Sequence, residues 1–309
     1  MRIFLHQKNP KMNTSGIHAA RSIQISADYY DDDIIIIDNI KKFAEHDSAK
    51  MEMNLIALVS SGKARMNING KETHLEARQL LVCPPNTTFS DMLFSTDFEF
   101  KMMLLTNRIL YSFLRDKIKV WNDLMYIYKV YTFPYQDAYA GFFSHFYNIL
   151  RLCVETPNET PYRNDIIHSI LQAGLLGLTA NFLSLRDESR QGDATIHGGH
   201  PDTTRGSILF QRFLNQLNNS RQKFRSVESF AAGLCISPKY LTAVCKKQSD
   251  KTAHEWIRDY VLEDIRYHLR HTDLPIKEIS DRIGFPNTSF FGRYVKEHFG
   301  VTPMQLRQS

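Results

Sequence analysis

Cysteine is scarce in this chain, and its four copies lie far apart. Cys83, Cys153, Cys235 and Cys245 form no Cys-x-x-Cys pair, and no histidine follows them at the spacing of a zinc finger. This pattern argues against a disulfide framework and against a structural zinc site. We expect reduced thiols, no metal and no other cofactor.

Long apolar runs are also missing from the sequence. We expect no stretch to approach the roughly 20 apolar residues of a membrane-spanning helix. The apolar run near the N-terminus is too short for the hydrophobic region of a signal peptide. The sequence therefore predicts a cytoplasmic protein that does not use a membrane as a partner.

Positive charge is concentrated in the C-terminal third of the chain. Residues 205–309 hold 17 Lys and Arg against 10 Asp and Glu, whereas residues 1–204 hold 21 against 23. Neutralisation of phosphates supplies most of the non-specific affinity of proteins for nucleic acids. This asymmetry therefore favours a DNA-binding module joined to a domain of another kind.

The 309 residues, of which 43% are hydrophobic, divide into four segments by their texture. In residues 1–106, short apolar runs alternate with Gly, Asn and Pro turns, which predicts a small β-barrel or a double-sheet jelly roll. Residues 107–186 have apolar residues at helical spacing and predict helices that form a homodimer contact. Residues 187–204 predict a flexible linker, in which His197 and His200 are solvated. The predicted strands are 34–37, 53–59, 64–69, 79–83 and 98–104.

The fourth segment, residues 205–309, contains the same sequence unit twice. Residues 227–248 and 276–299 each predict a short amphipathic helix, a tight turn and a second helix. The copies align at an offset of 49 before the turn and 50 after it. Such a helix-turn-helix unit commonly places its second helix in the DNA major groove. Between the copies, residues 252–270 predict a helix of roughly 28 Å, which could set the two recognition helices about one DNA turn apart.

In the first copy, Ser237 and Pro238 predict the start of the second helix, as the N-cap and the first helical residue. The apolar residues of this helix, Leu241, Val244 and Cys245, are expected to face the core. The residues of this copy that we predict to contact DNA are Lys239, Tyr240, Thr242, Ala243, Lys246 and Lys247.

In the second copy, Asn287 is the expected N-cap, and Phe290, Phe291 and Tyr294 or Val295 are expected to pack inward. Arg293 is the strongest candidate for a base contact, because its guanidinium can donate two hydrogen bonds to the edge of a guanine. The residues of this copy that we predict to contact DNA are Thr288, Ser289, Gly292, Arg293 and Lys296.

Residues 206–309 closely resemble the AraC/XylS family of bacterial transcription regulators. The family signature is present in the second copy at residues 279–285, 289–293, 295–296, 299–303 and 306–307. The resemblance implies a regulator that binds double-stranded DNA through both units. The first copy departs from the family at Asp250, where glycine is frequent, and at Cys235, which aligns with Gly284. Since Ala243 offers little for hydrogen bonding, we expect the first recognition helix to depend more on phosphate contacts, or on Lys239 and Thr242, than on an arginine.

Residues 62–85 look like part of the cupin-type sensor barrel that is common in this family. The fold implied is an α+β multidomain protein, in which a cupin-like β-barrel and dimerisation helices precede an all-α DNA-binding domain. Metal-dependent cupins need a His-x-His motif, which is absent here, and His46 and His74 stand alone. The resemblance thus implies a barrel that binds a small-molecule effector, or a purely structural one, and not a metalloenzyme.

The leading hypothesis is a sequence-specific, effector-responsive regulator that acts as a homodimer, with RNA polymerase as a further candidate partner. One alternative is a ligand-independent regulator whose barrel only mediates oligomerisation. Another is an enzyme fused to a DNA-targeting module, such as the alkyl-transfer repair proteins that share this DNA-binding fold. Those proteins need a cluster of zinc-bound thiolates, which four isolated cysteines do not supply, so the sequence predicts no enzymatic activity.

Overall fold

The computed structural model describes residues 27, 29–30, 33–38, 48–128, 132–135, 137–156, 160–191 and 204–308. Most of the predicted linker, with His197 and His200, lies outside the described residues, as do His46 and most of the first 32 residues. The chain divides into two compact units. The N-terminal unit comprises residues 1–115 and 129–199, and the C-terminal unit comprises residues 116–128 and 200–309.

The N-terminal unit contains two antiparallel sheets. The strands are β1 Tyr29–Tyr30, β2 Ile34–Ile37, β3 Ser48–Met51, β4 Asn54–Ser61, β5 Lys63–Ile68, β6 Lys71–Glu76, β7 Gln79–Cys83, β8 Thr87–Phe94, β9 Glu99–Leu105 and β10 Thr132–Pro134. One sheet has the order β1-β2-β9-β4-β7-β10 and the other the order β3-β8-β5-β6. Among the described strands neither sheet closes into a ring.

The two sheets share one apolar core. Side chains from β2, β4, β7 and β9 of the larger sheet are buried together with side chains from all four strands of the smaller sheet. Alternation of inward apolar and outward polar residues is clearest in β5, where Ala64, Met66 and Ile68 are buried. The β-rich N-terminal region is therefore confirmed, as a pair of packed sheets, and strands lie at all five predicted positions.

Helices make up the rest of the described chain. They are α1 Asn107–Leu114, α2 Ile118–Asn122, α3 Asp137–Glu155, α4 Arg163–Gln191, α5 Arg205–Asn219, α6 Val227–Gly233, α7 Pro238–Ser249, α8 Ala253–His271, α9 Ile276–Ile283, α10 Thr288–Phe299 and α11 Pro303–Gln308. A 3-10 turn at Arg115–Lys117 precedes α2, and a π-helical turn at Asp123–Tyr128 follows it. Helix α4 continues past Asp187, where the linker is predicted to begin.

Helices α3 and α4 pack against each other in the N-terminal unit. Gly174 and Gly177 of α4 allow close approach, because a Cβ atom at either position would clash with the ring of Phe146 or Phe142. Among the described residues, the part of α4 from Arg163 to Leu185 is long and apolar enough to cross a membrane, so the expectation that no stretch approaches that length was wrong. Core helices of soluble proteins have the same composition, and α4 buries apolar side chains against α3 and α1.

The C-terminal unit is built around α8. This helix begins with a capping box, in which the Thr252 hydroxyl accepts from the Glu255 N–H and the Glu255 carboxylate accepts from the Thr252 N–H. The hydrogen bond from the Thr252 backbone lowers the pKa of Glu255. Trp256 lies one turn into α8 and is fully buried. Since α5, α6, α7, α9 and α11 all contact α8, it joins both helix-turn-helix units to one core.

Candidate nucleic-acid interface

The first helix-turn-helix unit consists of α6 and α7. Ser226 and Ser237 cap these helices, because each hydroxyl accepts a hydrogen bond from a backbone N–H of the first turn, at 3.3 Å and 3.2 Å. Pro238 occupies the first turn of α7. The predicted N-cap and the predicted helix start are therefore confirmed. The residues predicted for the inner face are all buried: Leu241, Val244 and Cys245.

The opposite face of α7 is open to solvent. Thr242 is half-buried, and the other residues of the predicted DNA-contacting set are exposed, namely Lys239, Tyr240, Ala243, Lys246 and Lys247. On the inner face, burial raises the pKa of the Cys245 thiol to about 12. This thiol is therefore protonated at neutral pH and is not a nucleophile.

Asp250, which ends α7, forms an ion pair that the sequence analysis missed. Its carboxylate lies 3.1 Å from the amino group of Lys246, which also donates to the Asp250 carbonyl at 2.7 Å. Asp250 has a φ of +58°, a left-handed conformation that aspartate tolerates better than most residues. The spacing of four residues along a helix could have predicted this pair. Asp250 thus partly neutralises one of the cations that we predict to contact DNA.

We expect Asp250→Asn to strengthen DNA binding by up to about 1 kcal/mol, or about fivefold at low salt. The substitution removes a negative charge and releases Lys246 for a phosphate, and asparagine keeps the left-handed conformation available. Binding isotherms of both proteins on one duplex measure the effect. Asp273→Asn, at an exposed acid between α8 and α9, is the matched control, and an equal gain from both variants would contradict a role for the Lys246 pair.

The second helix-turn-helix unit consists of α9 and α10. Asn287 is the N-cap of α10, since its side chain accepts from the Phe290 N–H at 2.8 Å, as predicted. Phe291 and Val295 are fully buried, also as predicted. Gly292 is half-buried, and the other residues predicted to contact DNA are exposed, namely Thr288, Ser289, Arg293 and Lys296.

Contrary to the prediction, Phe290 does not pack inward. It is 37% exposed, because the inner side of α10 is occupied by Phe224 and Phe285, whose rings stack at 4.0 Å. The ring of Phe290 lies at the edge of this cluster, 5.8 Å from that of Phe224. The guanidinium of Arg293 lies 5.7 Å from the Phe290 ring centre, within cation–π range. Phe290 therefore supports Arg293 on the exposed face of α10.

The turns of the two copies share a backbone hydrogen bond and a left-handed residue. In the first turn the N–H of Ile236 donates to the carbonyl of Ala231 at 3.1 Å. The equivalent bond in the second turn, 49 residues later, runs from Phe285 to Ser280 at 3.0 Å. The residue before each donor is left-handed, with a φ of +56° at Cys235 and +100° at Gly284. The repeat seen in the sequence is thus a repeat of structure.

Because Cys235 adopts a conformation that costs most side chains about 1–2 kcal/mol, we expect Cys235→Gly to stabilise the C-terminal unit by up to about 1 kcal/mol. The reciprocal change, Gly284→Ala, should destabilise it by at least about 1 kcal/mol, since the new Cβ would also lie 3.0 Å from Cβ of Gln222. Urea titration of the full chain measures both. If both substitutions stabilised the unit, or both destabilised it, the two turns would not be equivalent.

The surface charge of the C-terminal unit is predominantly basic. Lys223 and Asp264 form an ion pair of 2.7 Å that is nearly buried and ties the loop before α6 to α8. Basic side chains outnumber acidic ones among the exposed residues, and they include Arg205, Arg212, Arg221, Arg225, Lys239, Lys246, Lys247, Arg270, Lys277, Arg282, Arg293 and Lys296. In the described part of the chain, no group of three or more His, Cys, Asp or Glu residues is arranged to hold a metal ion.

The amino-acid sequence of the C-terminal unit is similar to those of known proteins. Residues 230–309 match a family described as a helix-turn-helix domain. Regulatory protein PocR of Salmonella typhimurium is 25% identical over 130 residues, which cover 41% of this chain and 42% of PocR. The HTH-type transcriptional activator RhaR of an Enterobacter species is 24% identical over 108 residues, which cover 35% of this chain and 38% of RhaR. The matches thus span about two fifths of these relatives.

A solved structure of an apo ToxT variant from Vibrio cholerae covers 90% of this chain and 97% of ToxT, at 12% identity and a TM-score of 0.32. The sequence matches to PocR and RhaR and the match to the helix-turn-helix family agree with the two capped units described above. In residues 230–309, the chain therefore carries a helix-turn-helix domain, in agreement with the resemblance to the AraC/XylS family noted in its sequence.

Proposed function

We propose that the protein is a sequence-specific transcription regulator that binds double-stranded DNA through α7 and α10. The proposal rests on the pair of capped helix-turn-helix units, whose turns share a backbone hydrogen bond and a left-handed residue. Each unit exposes polar and basic side chains on its second helix. A helix presented in this way fits the major groove, where base edges are accessible.

The two recognition helices have unequal chemistry. Helix α10 exposes Arg293, Ser289 and Thr288, which can donate hydrogen bonds to base edges. Helix α7 exposes three lysines around Ala243, which suits contacts with phosphates. We therefore expect sequence specificity to be stronger in the half of the site that α10 contacts.

Lysine substitutions in α7 test this proposal. We expect Lys246→Ala and Lys247→Ala each to weaken binding to all duplexes by a similar factor, because each removes one phosphate contact. Each should also reduce the slope of log affinity against log salt by about 1. The measurement is a salt titration on the duplex that the wild-type protein selects from a random pool and on a scrambled duplex of equal length.

Lys50→Ala, which removes an exposed lysine from β3 of the N-terminal unit, is the matched control and should leave the salt slope unchanged. The proposal fails if the wild-type protein selects no sequence. It also fails if the three lysine variants change the slope equally, since that result would place the DNA contact elsewhere.

The N-terminal unit is proposed to be a cupin-like sensor that responds to a small-molecule effector. The space between its two sheets is filled with apolar side chains. A cavity of about 30 Å³ lies instead between the larger sheet and helices α3 and α4, next to Ile56, Met103 and Leu171. Lys101 also borders this cavity and donates to the side chain of Asn148 at 3.1 Å. We take this cavity as the starting point for an effector search.

The runner-up function is a ligand-independent regulator whose N-terminal unit only mediates oligomerisation, and the filled space between the sheets favours it. Thermal unfolding against a metabolite library distinguishes the two, since a ligand that binds only the native state raises the midpoint by mass action. We expect at least one compound to stabilise the wild-type protein and to lose this effect in Gly174→Ala, which would displace the Phe146 ring at the cavity.

The proposed homodimer contact lies on α3 and α4. Large apolar side chains are exposed on one or the other helix, namely Phe142, Ile149, Leu152, Ile166 and Leu176. Helix pairs with exposed apolar side chains commonly pack on a second copy. Sedimentation of the wild-type protein should therefore show a dimer.

We further propose a cytoplasmic, non-enzymatic protein, with RNA polymerase as a candidate partner at promoters.

A further inference from the structure

The chain leaves its N-terminal unit early and then returns to it. Residues 116–128, which we name the inserted segment, belong to the C-terminal unit, although the residues on both sides of them belong to the N-terminal unit. The inserted segment contains α2 and the π-helical turn. Five of its apolar side chains are almost completely buried: Ile118, Trp121, Leu124, Met125 and Tyr126. Part of the core of the DNA-binding unit is thus supplied by distant sequence.

The inserted segment contacts α5 and α8. The Asn122 side-chain amide donates to the hydroxyl of Tyr260 on α8 at 2.9 Å, and this bond is buried. The ring of Tyr126 packs edge-on against Phe210 of α5 at 5.9 Å and against Trp256 of α8 at 5.4 Å. These contacts join the segment to two of the helices against which α7 packs.

Trp256 lies between the inserted segment and the first recognition helix. Its indole N–H donates to the Ser249 hydroxyl in the last turn of α7, at 2.8 Å. Ser249 in turn donates to the carbonyl of Cys245, at 2.9 Å. One fully buried indole therefore contacts Tyr126 and is hydrogen-bonded to α7. Displacement of Tyr126 would open a cavity beside Trp256 and loosen the support of α7.

The inserted segment is less completely satisfied and less regular than ordinary core structure. The Asn122 side-chain oxygen is buried and has no hydrogen-bond partner among the described residues, whereas a buried polar atom without a partner is costly. The π-helical turn that follows is a rare conformation, which is found frequently at functional sites. Both features lower the free-energy cost of displacing the segment from its place.

We propose that the inserted segment is an internal docking element that holds the first helix-turn-helix unit in its DNA-binding arrangement, and that its release weakens DNA binding. This inference rests on the proposed function, because it assigns to residues 116–128 the control of α7. A signal in the N-terminal unit would reach α7 through a segment whose two ends are covalently joined to that unit.

The two tryptophans of the chain provide a direct test. Trp121 lies in the inserted segment and Trp256 in α8, and the sequence has no others. In a Trp121→Phe background, the emission of Trp256 alone reports on the contact. In that background we expect Tyr126→Ala to shift the emission to longer wavelength and to increase quenching by acrylamide. Affinity for the selected duplex should fall by a factor of about 5–150, the range of typical coupling between sites.

Two further variants keep the test decisive. Asn122→Ala removes the hydrogen bond to Tyr260 together with the unpartnered side-chain oxygen, and it leaves the ring of Tyr126 in place. It should produce the same changes at smaller size, even if Tyr126→Ala fails to fold. Tyr139→Ala removes the same type of ring from α3 of the N-terminal unit and should leave the emission of Trp256 unchanged. Circular dichroism establishes that each variant is folded.

Unchanged emission and unchanged affinity in folded Tyr126→Ala and Asn122→Ala would overturn the inference, as would tighter DNA binding. If the wild-type protein bound no DNA, the proposed function would fail, whereas the emission of Trp256 would still report whether the segment is docked. The two failures are therefore distinguishable.

Discussion

Trp256→Ala is expected to lower the free energy of unfolding of the C-terminal unit by about 3–5 kcal/mol, the usual cost of removing a buried large aromatic side chain. The indole is fully buried and packs against Phe210 and Tyr260 as well as Tyr126. Its N–H donates to Ser249 at the end of α7. The substitution removes the packing against α5 and the inserted segment, and it also removes the support of the first recognition helix.

Chemical denaturation, followed by circular dichroism, measures this loss. Tyr267→Ala is the matched control, because Tyr267 lies on the same helix and is 39% exposed. We expect Trp256→Phe to cost much less, since a phenyl ring fills most of the site and only the hydrogen bond to Ser249 is lost. A cost of Trp256→Ala similar to that of Tyr267→Ala would mean that α8 does not organise the unit.

Arg293→Ala is expected to reduce discrimination at one base pair of the recognised site by about 1–3 kcal/mol. Arg293 is exposed on α10, and the ring of Phe290 supports its guanidinium. A guanidinium held in one orientation can donate two hydrogen bonds to a guanine, and alanine can donate none. We expect the loss of specificity to be confined to the position that Arg293 contacts.

The measurement is the affinity of wild-type and variant proteins for the selected duplex and for its single-base-pair variants. Lys296→Ala, one turn further along α10, is the control and should weaken binding to all duplexes alike. Phe290→Ala should produce part of the Arg293→Ala effect, because the guanidinium loses its support. A uniform loss for Arg293→Ala across all duplexes would assign this residue to a phosphate contact.

Local sequence rules were sufficient where a structural feature depends on neighbouring residues. The caps at Ser237 and Asn287 and the buried positions Leu241 and Phe291 follow from side-chain chemistry and helical periodicity. Strands β1, β3, β6, β8 and β10 were not predicted. Strand β6, for example, is mostly polar and buries only Leu75, so it lacks the apolar run that identified the five predicted strands.

Other features depend on residues that are distant in the sequence. The exposure of Phe290 was not predicted, because Phe224, from the loop before α6, takes the inner position. Helical periodicity predicted helices in residues 107–186, but it does not say which core a buried helix joins. The sequence therefore assigned the inserted segment to the predicted 107–186 dimerisation region, whereas the structure groups it with the C-terminal unit.

The long sequence separation between contacting residues of the C-terminal unit has a consequence for protein synthesis. Asn122 and its partner Tyr260 are 138 residues apart. At the usual rate of translation, α8 leaves the ribosome on the order of 10 s after the inserted segment. During that interval the apolar residues of the segment, including Trp121 and Leu124, lack the core that later covers them. The nascent chain therefore exposes a chaperone-binding or aggregation-prone site until the C-terminal unit has been made.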